Sequence, residues 1–123
     1  MILKLKYHFD AAHRLYNKRL SKKENIKVYG QCYNLHGHRW SVEVIIKGET
    51  NKYGWIVNFK DIKKVINQFD HTYLNELSIL KNIIPTAENI TAILVDEISK
   101  LGDFKVRVTI YETPDASITD YKS

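Results

Sequence analysis

The sequence predicts an α+β fold, an antiparallel four-stranded sheet covered on one face by two helices in the order ββααββ. Two observations carry this reading. Apolar and polar residues alternate in the first, second and third of three separated stretches. Between the second and third lie two segments whose apolar residues recur every three or four positions. Alternation marks a half-buried strand, because successive side chains point to opposite faces of a sheet; the longer period marks a helix with one apolar face.

In residues 1–10, Leu3, Leu5, Tyr7 and Phe9 alternate with Lys4, Lys6, His8 and Asp10, so His8 points to solvent with the lysines. Residues 11–35 carry no sustained periodicity, and a connection of that length is expected to be a functional loop. From 36 to 47 the even positions His36, His38, Trp40, Val42, Val44 and Ile46 share one strand face, which projects both histidines to the same side. Residues 48–54 read as a turn and 55–58 as a short extended segment. A helix follows over 59–69, with Phe59, Ile62, Ile66 and Phe69 as its buried stripe and Asn58 as its cap. Asp70 and His71 come at its end. Pro85 and Thr86 start a second helix, with Thr86 as N-cap, Glu88 in the first turn, Ala87, Ile90, Leu94 and Ile98 facing inward and Gly102 ending it. Val106, Val108 and Ile110 alternate in a third long strand whose inward row ends on Glu112, and residues 117–121 supply a short last strand.

With 123 residues, 44% of them hydrophobic and 27% charged, the chain suits one ordinary globular core, hence a single domain over 1–123. No run approaches the roughly 18 apolar residues of a membrane span, and the N-terminus lacks a signal-peptide pattern, so a cytoplasmic protein without membrane association is expected. The net charge of +5 suits a polyanionic partner, either nucleic acid or a phosphorylated small molecule. Lys18, Arg19, Lys22, Lys23 and Lys27 concentrate that charge in a segment that reads either as a solvated loop or as a phosphate-steering one. The single cysteine, Cys32, excludes an internal disulfide.

His36-Gly37-His38 is the sharpest local signal. Two imidazoles at i and i+2 on one strand face stand about 6.6 Å apart at the backbone, close enough to share an ion. Zinc favours nitrogen and sulfur donors in a tetrahedron, and a catalytic site keeps three protein ligands and one open position. His13, just past the first strand, supplies the third if the first two strands are neighbours. Cys32 is then either a fourth ligand that closes the site or a base that stays off the metal. Asp70-His71 is a second candidate centre, since a carboxylate beside an imidazole fixes its tautomer. Glu112 is an inward carboxylate that needs a partner, and a ligand with two parallel N–H donors would provide one.

Phe9-Asp10-Ala11-Ala12-His13, Cys32 followed after three residues by His36-Gly37-His38, Asp70-His71, Pro85-Thr86-Ala87-Glu88-Asn89 and Tyr111-Glu112-Thr113 together resemble the family of 6-pyruvoyl- and 6-carboxy-tetrahydropterin synthases. The resemblance implies the tunnelling fold, whose ββααββ subunits join their sheets into a barrel as a trimer or hexamer with active sites at subunit interfaces. Three residues between cysteine and the His-Gly-His pair look like the 6-carboxy branch. That branch implies conversion of 7,8-dihydroneopterin triphosphate to 6-carboxy-5,6,7,8-tetrahydropterin, acetaldehyde and triphosphate in queuosine biosynthesis. By the same resemblance His13, His36 and His38 hold zinc, Cys32 is the base, His71 oriented by Asp70 shuttles protons, and Glu112 anchors the pterin with Thr86 lining its pocket; the basic loop and Arg14 are candidates to meet the triphosphate, which the resemblance does not assign to particular residues. Alternatives are formation of 6-pyruvoyl-tetrahydropterin, cleavage of a dihydropterin side chain, or a non-catalytic zinc protein closed by Cys32 that binds nucleic acid.

Overall fold

In the computed structural model, which describes residues 1–123, β1 (Ile2–His13) and β2 (His36–Lys47) pair antiparallel over their whole length, from Ile2 opposite Lys47 to His13 opposite His36. β4 (Lys105–Thr113) pairs antiparallel with β2, and β5 (Ala116–Lys122) with β4. A two-residue strand, β3 (Thr72–Tyr73), runs parallel to the end of β1, so the sheet order is β3-β1-β2-β4-β5.

The alternating rows fall as the pattern predicts. Phe9, Trp40, Val42, Val44, Ile46, Val106, Val108 and Ile110 are buried on one face, under α2 (Phe59–Asn67) and α3 (Ala87–Ser99). Ile62, Ile66 and Phe69 come down from the α2 segment, and Ala87, Ile90, Leu94 and Ile98 from α3, to complete one core. Asn58 caps α2 through its side chain, which accepts from the Lys60 amide, and Thr86 caps α3 by accepting from Asn89. Lys4, Lys6, His8, Arg39 and Arg107 stand exposed on the other face.

Several elements depart from the sequence reading. The lysine-rich segment is not all loop: Lys22–Tyr29 form a helix, α1. Its apolar periodicity is weak and its one buried residue is Asn25; what starts it is a capping box in which the Ser21 hydroxyl accepts from Glu24 N and the Glu24 carboxylate accepts from Ser21 N. β1 runs three residues further than expected and ends on His13, which keeps the parity of the buried row. β3 is too short to leave a pattern, and it adds a fifth strand. Residues 54–57 bend instead of extending, and α3 stops at Ser99 with Gly102 in the bend beyond. Phe59, placed in the buried stripe of α2, is 53% exposed, because the first residue of that helix lies beyond the edge of the core.

The two ends of that stripe are therefore expected to respond differently. In urea denaturation Ile62→Ala should cost about 2–5 kcal/mol through loss of packing and an unfilled cavity, and Phe59→Ala no more than about 0.5 kcal/mol.

Candidate metal centre

The register that sets His13 opposite His36 brings three imidazoles together at one end of the sheet. His13 closes β1, while His36 and His38 open β2 on the same face. Their ring centroids lie 4.5 Å (His13–His36), 5.2 Å (His13–His38) and 5.0 Å (His36–His38) apart. Glu112 reaches in from the end of β4, and one donor atom from each of the four residues lies within 4.8 Å of the others.

The hydrogen bonds select which nitrogens are free. His13 Nδ1 is 2.8 Å from the Pro85 carbonyl and His36 Nδ1 is 2.7 Å from the Asn34 carbonyl. A carbonyl only accepts, so each Nδ1 carries the hydrogen and each Nε2 presents a lone pair. Second-layer bonds of this kind orient metal-ligating histidines. His13 is fully buried, and the Nε2 atoms of His13 and His38 are both buried without a hydrogen-bond partner. Glu112 Oε1 comes within 3.0 Å of His38 Nε2 and 3.9 Å of His13 Nε2, yet neither approach has the direction of an N–H···O bond. Each orphaned group costs about 1–3 kcal/mol. A cation among these donors removes that cost, so the residues fit a metal ion. Burial, assisted by the neighbouring imidazoles, lowers the pKa of both His13 and His38 against the opposing pull of Glu112, favouring the neutral form that a metal requires. Trp40 forms the floor, edge-on to His13 and His38 at 5.1 and 5.4 Å and stacked on Phe9 at 5.6 Å.

Cys32 lies in a single 3-10 turn, Gly30–Tyr33, just before β2. Its carbonyl accepts from Leu15 N at 2.8 Å, which ties the turn to the segment after β1. Cys32 is half-buried and stands outside the four-residue donor set, where Glu112 takes the fourth place, so the closed site of one cysteine and three histidines is not formed. Arg14 is also engaged: its Nε donates to the Tyr33 carbonyl at 3.0 Å, and its guanidinium lies 4.3 and 4.9 Å from the Tyr33 and Tyr16 rings. Asn75 bonds both the amide and the carbonyl of Arg14, at 2.9 and 2.8 Å. Tyr16, Tyr33 and Asn75 escaped the sequence reading, since nothing in their linear order pairs them with Arg14.

Asp70 and His71 form a separate cluster with Asp10 at the β3 edge. Asp70 Oδ1 accepts from Asp10 N at 2.9 Å and Oδ2 lies 2.9 Å from His71 Nδ1. The Asp10 amide, then the imidazole, holds the Asp70 carboxyl below the usual carboxylate range. His71 adopts the left-handed conformation at φ 57°, and its side chain is 80% exposed. The hydroxyl of Thr86 accepts as the α3 cap and keeps its hydrogen to donate elsewhere. A cavity of about 800 Å³ is lined by Met1, Lys47, Gly48, Trp55 and Phe104 at the other end of the sheet, about 36 Å of strand away from the histidines.

Three convergent imidazoles beside a carboxylate, at the end of a sheet covered on one face, define an α+β protein whose residues could hold a metal ion. The chain belongs to the 6-pyruvoyl tetrahydropterin synthase family, whose profile matches residues 2–122. It is 39% identical over 121 residues to a 6-pyruvoyl tetrahydrobiopterin synthase of Dictyostelium discoideum, covering 92% of this chain and 90% of that one. A human protein of the same name is 35% identical, with 93% and 86% covered. An Archaeoglobus fulgidus protein provisionally named a 6-carboxy-5,6,7,8-tetrahydropterin synthase is 34% identical, with 94% and 90% covered. The solved Caenorhabditis elegans 6-pyruvoyl tetrahydropterin synthase superposes with a TM-score of 0.84 at 28% identity, covering 100% of this chain and 96% of that one. The fold is thus the tunnelling fold, and the chain is a pterin lyase of this metal-dependent family. No helix is long and apolar enough to cross a membrane.

Titration with zinc should show His13→Ala weakening affinity at least about 100-fold, the scale on which ligands and their supports act, while Cys32→Ala stays within about threefold. The metal-free chain should also be acid-sensitive. Because His13 and His38 bind protons less readily folded than unfolded, the unfolded form takes up more protons as pH falls below about 6.5, and stability declines there and returns as pH rises. Urea midpoints at pH 7.5 and pH 5.5 measure this; equal midpoints would contradict it.

Proposed function

We propose that the chain is a zinc-dependent 6-carboxy-5,6,7,8-tetrahydropterin synthase of the queuosine route. It would convert 7,8-dihydroneopterin triphosphate to the carboxy-tetrahydropterin, acetaldehyde and triphosphate. The observation that carries this reading is the spacing of Cys32, which has three residues between it and His36, lies in the turn that leads into β2 and stands outside the imidazole donor set. The archaeal relative supports the same branch. The names of the Dictyostelium and human relatives favour the second reading, formation of 6-pyruvoyl-tetrahydropterin.

His13, His36 and His38 would hold zinc through nitrogen donors that suit it, and the zinc would supply Lewis acidity that favours loss of a proton from a side-chain carbon of the substrate. Cys32 accepts the proton from that carbon. Glu112 receives the two parallel N–H groups of the pterin, and its position 3.0 Å from His38 sets the ring so that its side chain extends over the imidazoles. Thr86 donates its hydroxyl to the same ligand. His71, kept in one orientation by Asp70, serves as the second proton carrier.

His71 belongs to a different cluster from the triad and points to solvent, which supports a role in the site of an adjacent copy. The outer edge of β1 is unpaired before Ala11, and β5 is the opposite edge of the sheet. Such edges pair readily with other strands, so β5 of one copy and β1 of the next would join in a trimer or hexamer in the cytoplasm.

Incubating the zinc-loaded protein with 7,8-dihydroneopterin triphosphate and weighing the products by mass spectrometry tests the reaction, with a chelator-treated control. Carboxy-tetrahydropterin with acetaldehyde is expected; a pyruvoyl product would select the second reading. Cys32→Ala and His71→Ala should each lose turnover by at least about 100-fold, the scale of general acid–base catalysis, and regain part of it when mixed and reassembled. No recovery in mixed oligomers would remove His71 from the neighbour's site.

A further inference from the structure

We infer that Arg14 and Asn75 are positioning residues for Cys32, fixing the turn that carries it to the chain that leaves His13. No residue of that turn, Gly30–Tyr33, is buried, so packing against the core does not hold it. Hydrogen bonds do. Three successive carbonyls each meet a donor: Cys32 O accepts from Leu15 N at 2.8 Å, Tyr33 O from Arg14 Nε at 3.0 Å, and Asn34 O from His36 Nδ1 at 2.7 Å. The backbone around Cys32 is thus set by the two segments that carry the imidazoles.

Of these three donors, Arg14 Nε is the one that belongs to a side chain outside the triad. The guanidinium also lies 4.3 Å from the Tyr33 ring and 4.9 Å from the Tyr16 ring, so one side chain grips Tyr33 by its carbonyl and by its ring. Arg14 is anchored in turn by Asn75. Fully buried Leu74 seats the short 3-10 turn Leu74–Glu76 in the core, and Asn75 beside it accepts from Arg14 N at 2.9 Å and donates to Arg14 O at 2.8 Å. β3 pairs with β1 only as far as Ala12, so this amide supplies, beyond the end of the ladder, bonds that a strand residue would have made. Support for Cys32 passes from the core through Leu74, Asn75 and Arg14.

This role differs from a contact with phosphate, because it needs a directed donor on a stacked, planar group and not merely a charge. Its effect on turnover rests on the assignment of Cys32 as the base; the clasp itself does not.

Arg14→Lys, which keeps the charge and loses the planar donor, and Asn75→Ala test the clasp in the full chain. In the zinc-loaded protein each should lower kcat on 7,8-dihydroneopterin triphosphate by about tenfold or more and leave KM within about twofold, the scale on which small displacements of a reacting group act. Zinc affinity should stay within about threefold, since the bonds that orient the imidazoles are untouched. Cys32 is the only cysteine, so its alkylation by iodoacetamide reads the turn directly. That reaction should be about tenfold faster in both variants, because a half-buried thiol in a released turn reaches solvent more often. A raised KM with kcat unchanged would place Arg14 on the substrate, zinc affinity lost together with turnover would mean that the two residues support the imidazoles, and unchanged alkylation would mean that the turn is held without them; each result overturns the proposal. Faster alkylation in the variants, with no turnover of the pterin triphosphate by the unaltered chain, would remove the functional reading and leave the clasp standing. Turnover by the unaltered chain, with kcat and alkylation unchanged in both variants, would do the reverse.

Discussion

The pairing of β1 with β2 is the constraint on which the other features rest. Its register runs unbroken from Ile2 opposite Lys47 to His13 opposite His36. A slip of one residue would turn every side chain of one strand to the opposite face. Phe9 and Trp40, which stack across this pair, would part, and the row that buries Val42, Val44 and Ile46 would meet water. His13 would leave His36 and His38 in the same movement. The core and the metal centre are therefore consequences of one alignment. The large apolar area committed to the core keeps in place three imidazoles whose own crowding, two of them with unpartnered nitrogens, is unfavourable in the absence of a cation.

The rest of the centre is assembled from elements far apart in the chain. Asn34 lies before β2 and Pro85 before α3, each giving one carbonyl to a histidine, and Glu112 at the end of β4 approaches both His13 and His38. Cys32 and Arg14 are joined to the same region through backbone bonds and through the Tyr16–Arg14–Tyr33 stack. Much of this support is made by main-chain atoms. The histidines and Glu112 supply the chemistry, while their placement comes from loops that the sheet and α3 hold still.

What could be read in the sequence follows from what is periodic or adjacent. The strand rows through Phe9, Val44 and Val108 and the stripe of α3 were legible because burial on one side leaves a repeating pattern. The His-Gly-His pair was legible because a strand puts i and i+2 on one face. α1 was not, since its start depends on Ser21 and Glu24 and its one buried side chain is polar. Phe59 was misplaced because periodicity continues past the point where the core ends. The approach of Glu112 to His38 and the clasp of Arg14 by Asn75 depend on residue separations of more than 60 positions, which no local pattern encodes.

The carbonyl of Pro85 that holds His13 has a consequence for how this centre tolerates change over generations. A side-chain carboxylate in that role could be lost by a single codon change, but every amino acid carries a main-chain carbonyl. The orientation of the buried imidazole is thus insulated from point substitution at the supporting position as long as the backbone path between Leu80 and Thr86 is kept. Insertions and deletions there, rather than replacements, are the genetic events to which the ligand's alignment is exposed. The surrounding side chains remain free to diversify and to tune which substrates enter.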